Sequence, residues 1–506
     1  MMISNPVLRG FYPDPSVCRA NGKYYMVCSS FEYFPGVPLF ESEDLVHWTQ
    51  IGHCLTRSTQ VDLERINSSG GVFAPTIRYH EGRFYMVTTN DTYHKNFYVY
   101  TDDIYGEWSE PVFVDQGGID PSLFFEDGKA YFMSNGSDED GNGCIFQCEI
   151  NIATGERLTE SKPIWKGNGG RYLESPHLYH IGDWYYITAA EGGTEYGHMI
   201  TYARGKSPYG PFESYPLNPV VTNRDLGGHQ SRIQGIGHGD LVQTEDGTTF
   251  IVCLGFRQEG MWRPFHHLGR EVFLVPWQQD GWFTAGVNGK VEAEMEMNLN
   301  ASGEDTCYDV SFEKLGADSL RWCHLRAYDQ ANYQFTEQGA KLRGNHFTLD
   351  DVDAPTFLGV RQSEFDTTLD VTVGGNSPEA GVTFYLCEDH HYDLYLAQAD
   401  EVCRAELRLT TGDAQCVKTS VPLEQGQQEV KLHVESDSEF YTFFAEIAGE
   451  KKELGKARTK YLSSEVAGGF TGTVMAMYAV NPEEKEDAWG EFTGLKWTMK
   501  KWVDNA

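Results

Sequence analysis

Basic side chains are scarce in this chain. Only 40 Lys and Arg stand against 74 Asp and Glu, for a formal net charge of −34 over 506 residues. Nucleic acid is bound by clustered Lys and Arg, so it is excluded as a partner, and an acidic surface is repelled by anionic membranes. Long apolar runs are missing too. No stretch approaches the roughly 18 residues that a membrane-spanning helix needs. The opening Met1-Met2-Ile3-Ser4-Asn5-Pro6 lacks the basic region and apolar run of a secretory leader. The eleven cysteines are odd in number and show no C-x-x-C spacing. They read as reduced, buried thiols rather than a disulfide framework or a zinc site. These absences together predict a cytoplasmic protein acting on a neutral substrate, with no nucleic acid and no membrane among its partners.

Aromatic residues, at 13%, are abundant, as suits an all-β protein with surfaces that stack on sugars. The most informative feature is a phrase that recurs five times. Its copies are Tyr12-Pro13-Asp14-Pro15-Ser16-Val17, Phe73-Ala74-Pro75-Thr76-Ile77, Ile119-Asp120-Pro121-Ser122-Leu123, Glu174-Ser175-Pro176-His177-Leu178 and His238-Gly239-Asp240-Leu241. Each is followed by a Gly-containing turn and a β-rich run, as in Asn21-Gly22 before Lys23-Tyr24-Tyr25-Met26-Val27. A repeat near fifty residues that carries hairpins predicts a five-bladed β-propeller. Residues 1–300 form this first domain. The segment Met295–Thr306 loses the strand pattern and reads as a linker. Beyond it, runs such as 367–373, 381–386 and 392–396 read as strands with one wet face, giving a second domain over 301–506 that is a jelly-roll or concanavalin-like β-sandwich.

Equivalent positions on different blades converge on a propeller's axis. Asp14, Asp120 and His238 share one register, and Glu174 lies one residue earlier, so three carboxylates and a histidine should meet in one cavity. Hydrolysis of a glycosidic bond needs such a set: one carboxyl to protonate the leaving oxygen and another to activate water. A third carboxylate near the acid would keep it protonated near neutral pH. The proline after each aspartate predicts an extended conformation there. Several residues admit two readings. His238 either plugs the axis or lies near substrate or a metal. Arg270 either pairs with a surface acid or contacts substrate. Phe31, Tyr33, Phe34 and Phe73 are core or pocket lining, and Glu191 supports the site or is a plain loop residue.

With these residues in view, the chain resembles glycoside hydrolase family 43. Asn5-Pro6-Val7-Leu8 and Gly10-Phe11-Tyr12-Pro13-Asp14-Pro15-Ser16 resemble the family's opening motif, which makes Asp14 the general base. Gly118-Ile119-Asp120-Pro121-Ser122-Leu123-Phe124 resembles the segment whose aspartate tunes and orients the acid, which falls to Asp120. Glu174-Ser175-Pro176-His177-Leu178-Tyr179 is similar to the motif of the general acid, Glu174. Gly237-His238-Gly239-Asp240 and Leu268-Gly269-Arg270-Glu271 resemble the segments of the axial histidine and the substrate-binding arginine. The resemblance implies no required cofactor, but admits a divalent cation such as Ca2+ on the axis beside His238.

Residues 355–362, 388–394 and 468–472 resemble the sandwich of β-xylosidase-type members. That similarity implies a sandwich loop, carrying Phe470, that closes one side of the pocket. Phe31, Phe73, His238, Arg270 and Phe470 are then the substrate-contacting set. The implied function is an exo-acting, inverting hydrolase releasing α-L-arabinofuranose or β-D-xylose from hemicellulose-derived oligosaccharides. A homo-oligomer is compatible with it. Phe73 stands where β-xylosidases usually carry tryptophan, Thr76 replaces an aspartate, and Asp120 precedes proline rather than alanine. These departures favour arabinofuranoside. Three other readings fit the sequence less well. An invertase-like retaining enzyme would need Asn-Asp-Pro-Asn where this chain has Tyr-Pro-Asp-Pro-Ser. A sugar-binding propeller would have lost one of the acids, and a protein scaffold leaves the axial carboxylates unexplained.

Overall fold

Tight hairpins organise the first half of the chain. The strand Ser16–Ala20 returns as Lys23–Val27 through Asn21 and Gly22, whose φ values of +53° and +80° both lie in the left-handed region that a two-residue hairpin turn demands. The computed structural model describes residues 1–227, 230–260, 262–301, 309–316, 318–399 and 402–504. Within these, five four-stranded antiparallel sheets follow one another as propeller blades. They are built on the innermost strands Ser16–Ala20, Thr76–His80, Ser122–Glu126, Glu174–Ile181 and Ile233–Gln243. Each of these begins at or near the repeated phrase, and neighbouring innermost strands abut around the axis. The middle strands are nearly continuous apolar runs, such as Thr249–Arg257, because both of their faces pack against adjoining blades. Side chains such as Val87, Ile187 and Val252 are wholly buried there, and each contributes about 1.5–3 kcal/mol by leaving water.

The ring is sealed by its own N-terminus. Met2–Ser4 pairs with Glu294–Glu296, and the Asn5 side chain both donates to Leu274 O and accepts from Leu274 N–H. This corrects the linker reading in part: Met295 lies opposite Ile3 in a strand pair. Residues 302–306 of that segment lie outside the described residues.

The second half stacks two sheets. One runs in the order Tyr333–Thr336, Gly339–Arg343, Trp489–Met499, Thr367–Gly375, Val430–Ser436, Phe440–Ile447 and Glu450–Arg458, with Asp309–Ser311 also paired to Trp489–Met499. The other runs Thr356–Arg361, Val474–Val480, Glu379–Cys387, His390–Ala399, Val402–Thr411 and Ala414–Pro422. Thr367–Gly375 alternates buried and more open positions as predicted. Residues 381–386 and 392–396 do not: they are buried on both faces. Their inner face packs into the sandwich core, while Tyr385, Tyr395 and Tyr478 on the outer face pack with Phe11, Phe31 and Tyr33 of the propeller. No wet face remains there.

This contact is polar as well as apolar. Tyr33–Phe34, between the second and third strands of the first blade, pairs with His324–Leu325 at the start of the sandwich. The wholly buried Arg257 bonds Glu271 of the propeller at 2.7 and 2.8 Å and Glu364 of the sandwich at 2.7 Å. Losing one member of such a buried set costs about 3–5 kcal/mol, because its partner is stranded away from water. The two domains are thereby locked together.

Candidate active site

The innermost strands start on unusual backbone. Asp14, Asp120, Ser175 and His238 have φ values of +56°, +52°, +54° and +43°. The shared register is therefore real, with Ser175 as the equivalent position and Glu174 one residue earlier. The expected extended conformation of Asp14 and Asp120 is not observed. Hydrogen bonds on either side override the local preference of a residue before proline: Ser29 N–H donates to Pro13 O at 3.0 Å, Tyr12 N–H to Arg270 O at 3.1 Å, and Asn135 N–H to Ile119 O at 3.2 Å. Left-handed non-glycine residues are uncommon and concentrate at functional sites, where surrounding contacts hold the strain.

Asp14, Asp120, Glu174 and His238 line one cavity of about 360 Å³. Asp14 is buried, with Oδ1 2.7 Å from Arg270 Nη1 and Oδ2 accepting from the Ser29 hydroxyl at 2.5 Å. Burial pushes its carboxyl up, but Arg270, His238 and the Ser29 bond outweigh that and hold it below the usual range. Glu174 behaves in the opposite sense: burial first, and then the charge of Asp14, push it up to about 7. Asp120 is pushed well above its ordinary value by burial, then by Glu174 and Asp14, while its Oδ2 accepts Ser175 N–H at 3.1 Å. Asp120 and Glu174 are thus a coupled pair whose protons leave in steps belonging to both. At neutral pH the cavity holds an ionised Asp14 and a proton-bearing Glu174–Asp120 pair.

His238 stands between the aspartates, its Nδ1 3.8 Å from Asp14 Oδ1 and 3.9 Å from Asp120 Oδ2. Burial lowers its pKa against the pull of Asp14, so the ring is neutral. Further along the axis, Asp240 accepts from Arg78, Ser16, the Val17 N–H and the Tyr179 hydroxyl. This clamp ties blades one, two, four and five together, and Arg78 outweighs burial to hold Asp240 well below its usual range.

The sandwich supplies one wall. Phe470 lines the cavity, and its carbonyl accepts from Arg270 Nη2 at 3.2 Å. Its N–H donates to Ser69 Oγ at 2.8 Å, and Ser69 N–H donates to the buried Glu32 at 2.9 Å. Phe31 lies between Phe73 and Phe470, with ring centroids 5.8 and 6.1 Å away. All five residues expected to contact substrate, Phe31, Phe73, His238, Arg270 and Phe470, therefore line the same cavity as the three acids.

A family model described as glycosyl hydrolases family 43 matches residues 3–283, and one described as the β-xylosidase C-terminal concanavalin A-like domain matches residues 311–498. The chain belongs to glycosyl hydrolase family 43. It is a glycosidase. It is 39% identical over 491 residues to a non-reducing-end α-L-arabinofuranosidase of Bacteroides ovatus, covering 94% of this chain and 90% of that one. It is 31% identical to a β-xylosidase of Bacillus subtilis, covering 94% and 96%. Among solved structures, a family 43 protein of the Bacteroides ovatus xyloglucan locus superposes with a TM-score of 0.91 at 35% identity, covering 99% of this chain and 100% of that one. A xylan β-1,4-xylosidase of Bacillus halodurans superposes at 0.89 and 28% identity, covering 98% and 100%.

Sequence reasoning missed several residues at this cavity. Thr194 lines the cavity and its hydroxyl accepts from Arg270 at 2.9 Å. His198 is buried in the wall, its Nδ1 3.1 Å from Gly235 O, and burial lowers its pKa to about 3. Tyr172 and Glu195 form part of the mouth. None of them falls in the repeat register. Glu191 proves to be a support: wholly buried, it accepts from Asn168 N–H, Gly170 N–H and the Thr201 hydroxyl, fixing the loop that leads into Glu174.

The surroundings of His238 do not fit calcium. That ion takes six to eight oxygen ligands, whereas the carboxylates here are already engaged by Arg270, Ser29, Ser175 and Arg78. Among the described residues no group of three or more His, Cys, Asp or Glu is arranged to hold a metal.

Proposed function

We propose that this glycosidase removes single terminal pentoses, α-L-arabinofuranose and β-D-xylose, from the non-reducing ends of hemicellulose-derived oligosaccharides with inversion of configuration. Asp14 acts as general base, taking a proton from a water poised at the anomeric carbon. Glu174 gives its proton to the departing glycosidic oxygen, and Asp120 keeps that proton available. The observation that carries the reading is the opposite tuning of two carboxyls in one pocket, Asp14 held down by Arg270 and Glu174 raised to about 7. A general acid must carry its proton and a base must lack it at the same pH. The sandwich wall at Phe470 leaves room at one end for a terminal ring, which supports exo action.

Phe73 in place of tryptophan favours arabinofuranoside, and the relatives named above are named for both sugars. A side-by-side assay of 4-nitrophenyl α-L-arabinofuranoside and β-D-xylopyranoside tests the choice. Both are expected to be cleaved, the arabinofuranoside faster. Release of oligosaccharides from internal bonds of xylan or arabinan would overturn the terminal-pentose reading.

A further inference from the structure

Around the cavity Asp14 is buried, whereas Tyr172, two residues before Glu174, is exposed. Asp14 is buried behind Arg270 and the sandwich loop. Near Glu174 the lining includes the exposed Tyr172 and Glu195, which form a rim. Because Glu174 protonates the bond between the terminal sugar and the rest of the substrate, the next sugar must emerge over this rim. Tyr172 stands there, two residues before the acid, with 61% of its surface exposed.

Several features hold this exposed ring in place. Its φ of +52° is a strained value for a bulky residue. Arg171 places its guanidinium 5.2 Å from the ring centroid. That guanidinium is itself fixed, donating through Nε to Gly192 O at 2.9 Å and through Nη2 to Glu195 at 3.2 Å. Gly193, at φ +78°, closes in from the side, where an added Cβ would come within 3.0 Å of Tyr172 Cδ2. Behind them Gly192 N–H donates to Arg171 O at 2.8 Å, and Glu191 anchors the preceding loop. A strained, braced and solvent-facing aromatic beside a catalytic acid has no packing role to account for it. Tyrosine combines a flat apolar face with a polar edge, the combination that suits a sugar ring.

We infer that Tyr172 is the platform for the leaving-group sugar, stacking on the first ring beyond the scissile bond, with Arg171 setting the platform's orientation and offering donors at its edge. This rests on the terminal-pentose reading. It makes the enzyme's preference for oligosaccharide over small glycosides a property of the segment 171–174.

The test compares substrates with and without a leaving-group ring. Wild type, Tyr172→Ala and Tyr172→Phe are assayed on 1,4-β-xylobiose and an arabinofuranosyl xylobiose, and on the matching pentosyl fluorides. Tyr172→Ala is expected to lower kcat/KM on the oligosaccharides roughly 10-fold, mainly through KM, and to leave the fluorides unchanged. Tyr172→Phe should stay near wild type on both. Equal losses on oligosaccharides and fluorides would show that the ring acts on Glu174 rather than on the leaving sugar, and would overturn the inference. Unchanged activity of Tyr172→Ala on all substrates would overturn it as well. A wild-type enzyme inactive on every one of these pentosides would instead bring down the functional reading, and this inference with it.

Discussion

Arg270 Nη1 lies 2.7 Å from Asp14 Oδ1, and the same guanidinium reaches Phe470 O at 3.2 Å. One side chain thus keeps Asp14, the proposed base, ionised and ties the sandwich's loop to the pocket. Without it the Asp14 carboxyl loses the largest influence opposing its burial. Arg270→Ala is expected to shift the acidic limb of the kcat/KM profile upward, because Asp14 then takes up its proton at higher pH. Losing a hydrogen bond to a charged group costs about 1.5–3 kcal/mol, so kcat/KM should fall roughly 10- to 150-fold. A variant with full activity and an unmoved acidic limb would contradict the role of this pair.

As the proposed general acid, Glu174 can act only while protonated. With its pKa raised to about 7, the protonated form dominates below that pH and is lost above it, so activity should decline through an alkaline limb near pH 7. Glu174→Gln should cost about 10²–10⁴-fold on glycosides with poor leaving groups, and far less on 2,4-dinitrophenyl glycosides, whose leaving group needs little protonation. Burial and Asp14 raise Glu174, and ionised Glu174 in turn raises Asp120, so Asp120→Asn removes the second, higher step of the pair and the alkaline limb should narrow to the single step of Glu174. An intact rate and an unmoved limb in Asp120→Asn would refute the coupling of the two carboxyls.

The Ser69–Phe470 hydrogen bond, at 2.8 Å, crosses from propeller to sandwich. If it positions the Phe470 loop over the sugar, Ser69→Ala should lower kcat/KM by roughly 2- to 12-fold, the cost of about 0.5–1.5 kcal/mol for one hydrogen bond. In Phe470→Ala the same change should then cost nothing more, since contacting residues couple in double-mutant cycles. Fully additive losses would show that Ser69 acts elsewhere.

Much of this site was legible because a propeller repeats itself. Five copies of one phrase put Asp14, Asp120 and His238 at matching places, with Glu174 one residue earlier, and convergence on an axis follows from the architecture alone. Residues on the connecting loops escaped for the converse reason. Thr194, His198 and Tyr172 lie between strands, where no repeat marks their position. Asp240 stood in the fifth phrase, yet its clamp on Arg78 joins residues 162 positions apart, a pairing without a local signature. The backbone of Asp14 and Asp120 is not legible in the sequence, because the preference of a residue before proline is local, whereas hydrogen bonds from Ser29 and Asn135 set it. The two buried strand runs of the sandwich looked half-wet because nothing in their alternation shows the propeller packed against them.

The central claim is that Asp14 directs water to the face of the sugar opposite Glu174, and the configuration of the first product reports this most directly. Proton NMR of a β-D-xyloside digest, recorded before mutarotation, should show α-xylose as the initial product. First-formed β-xylose, or transfer to added alcohol with retention, would mean a covalent sugar intermediate and would contradict the account.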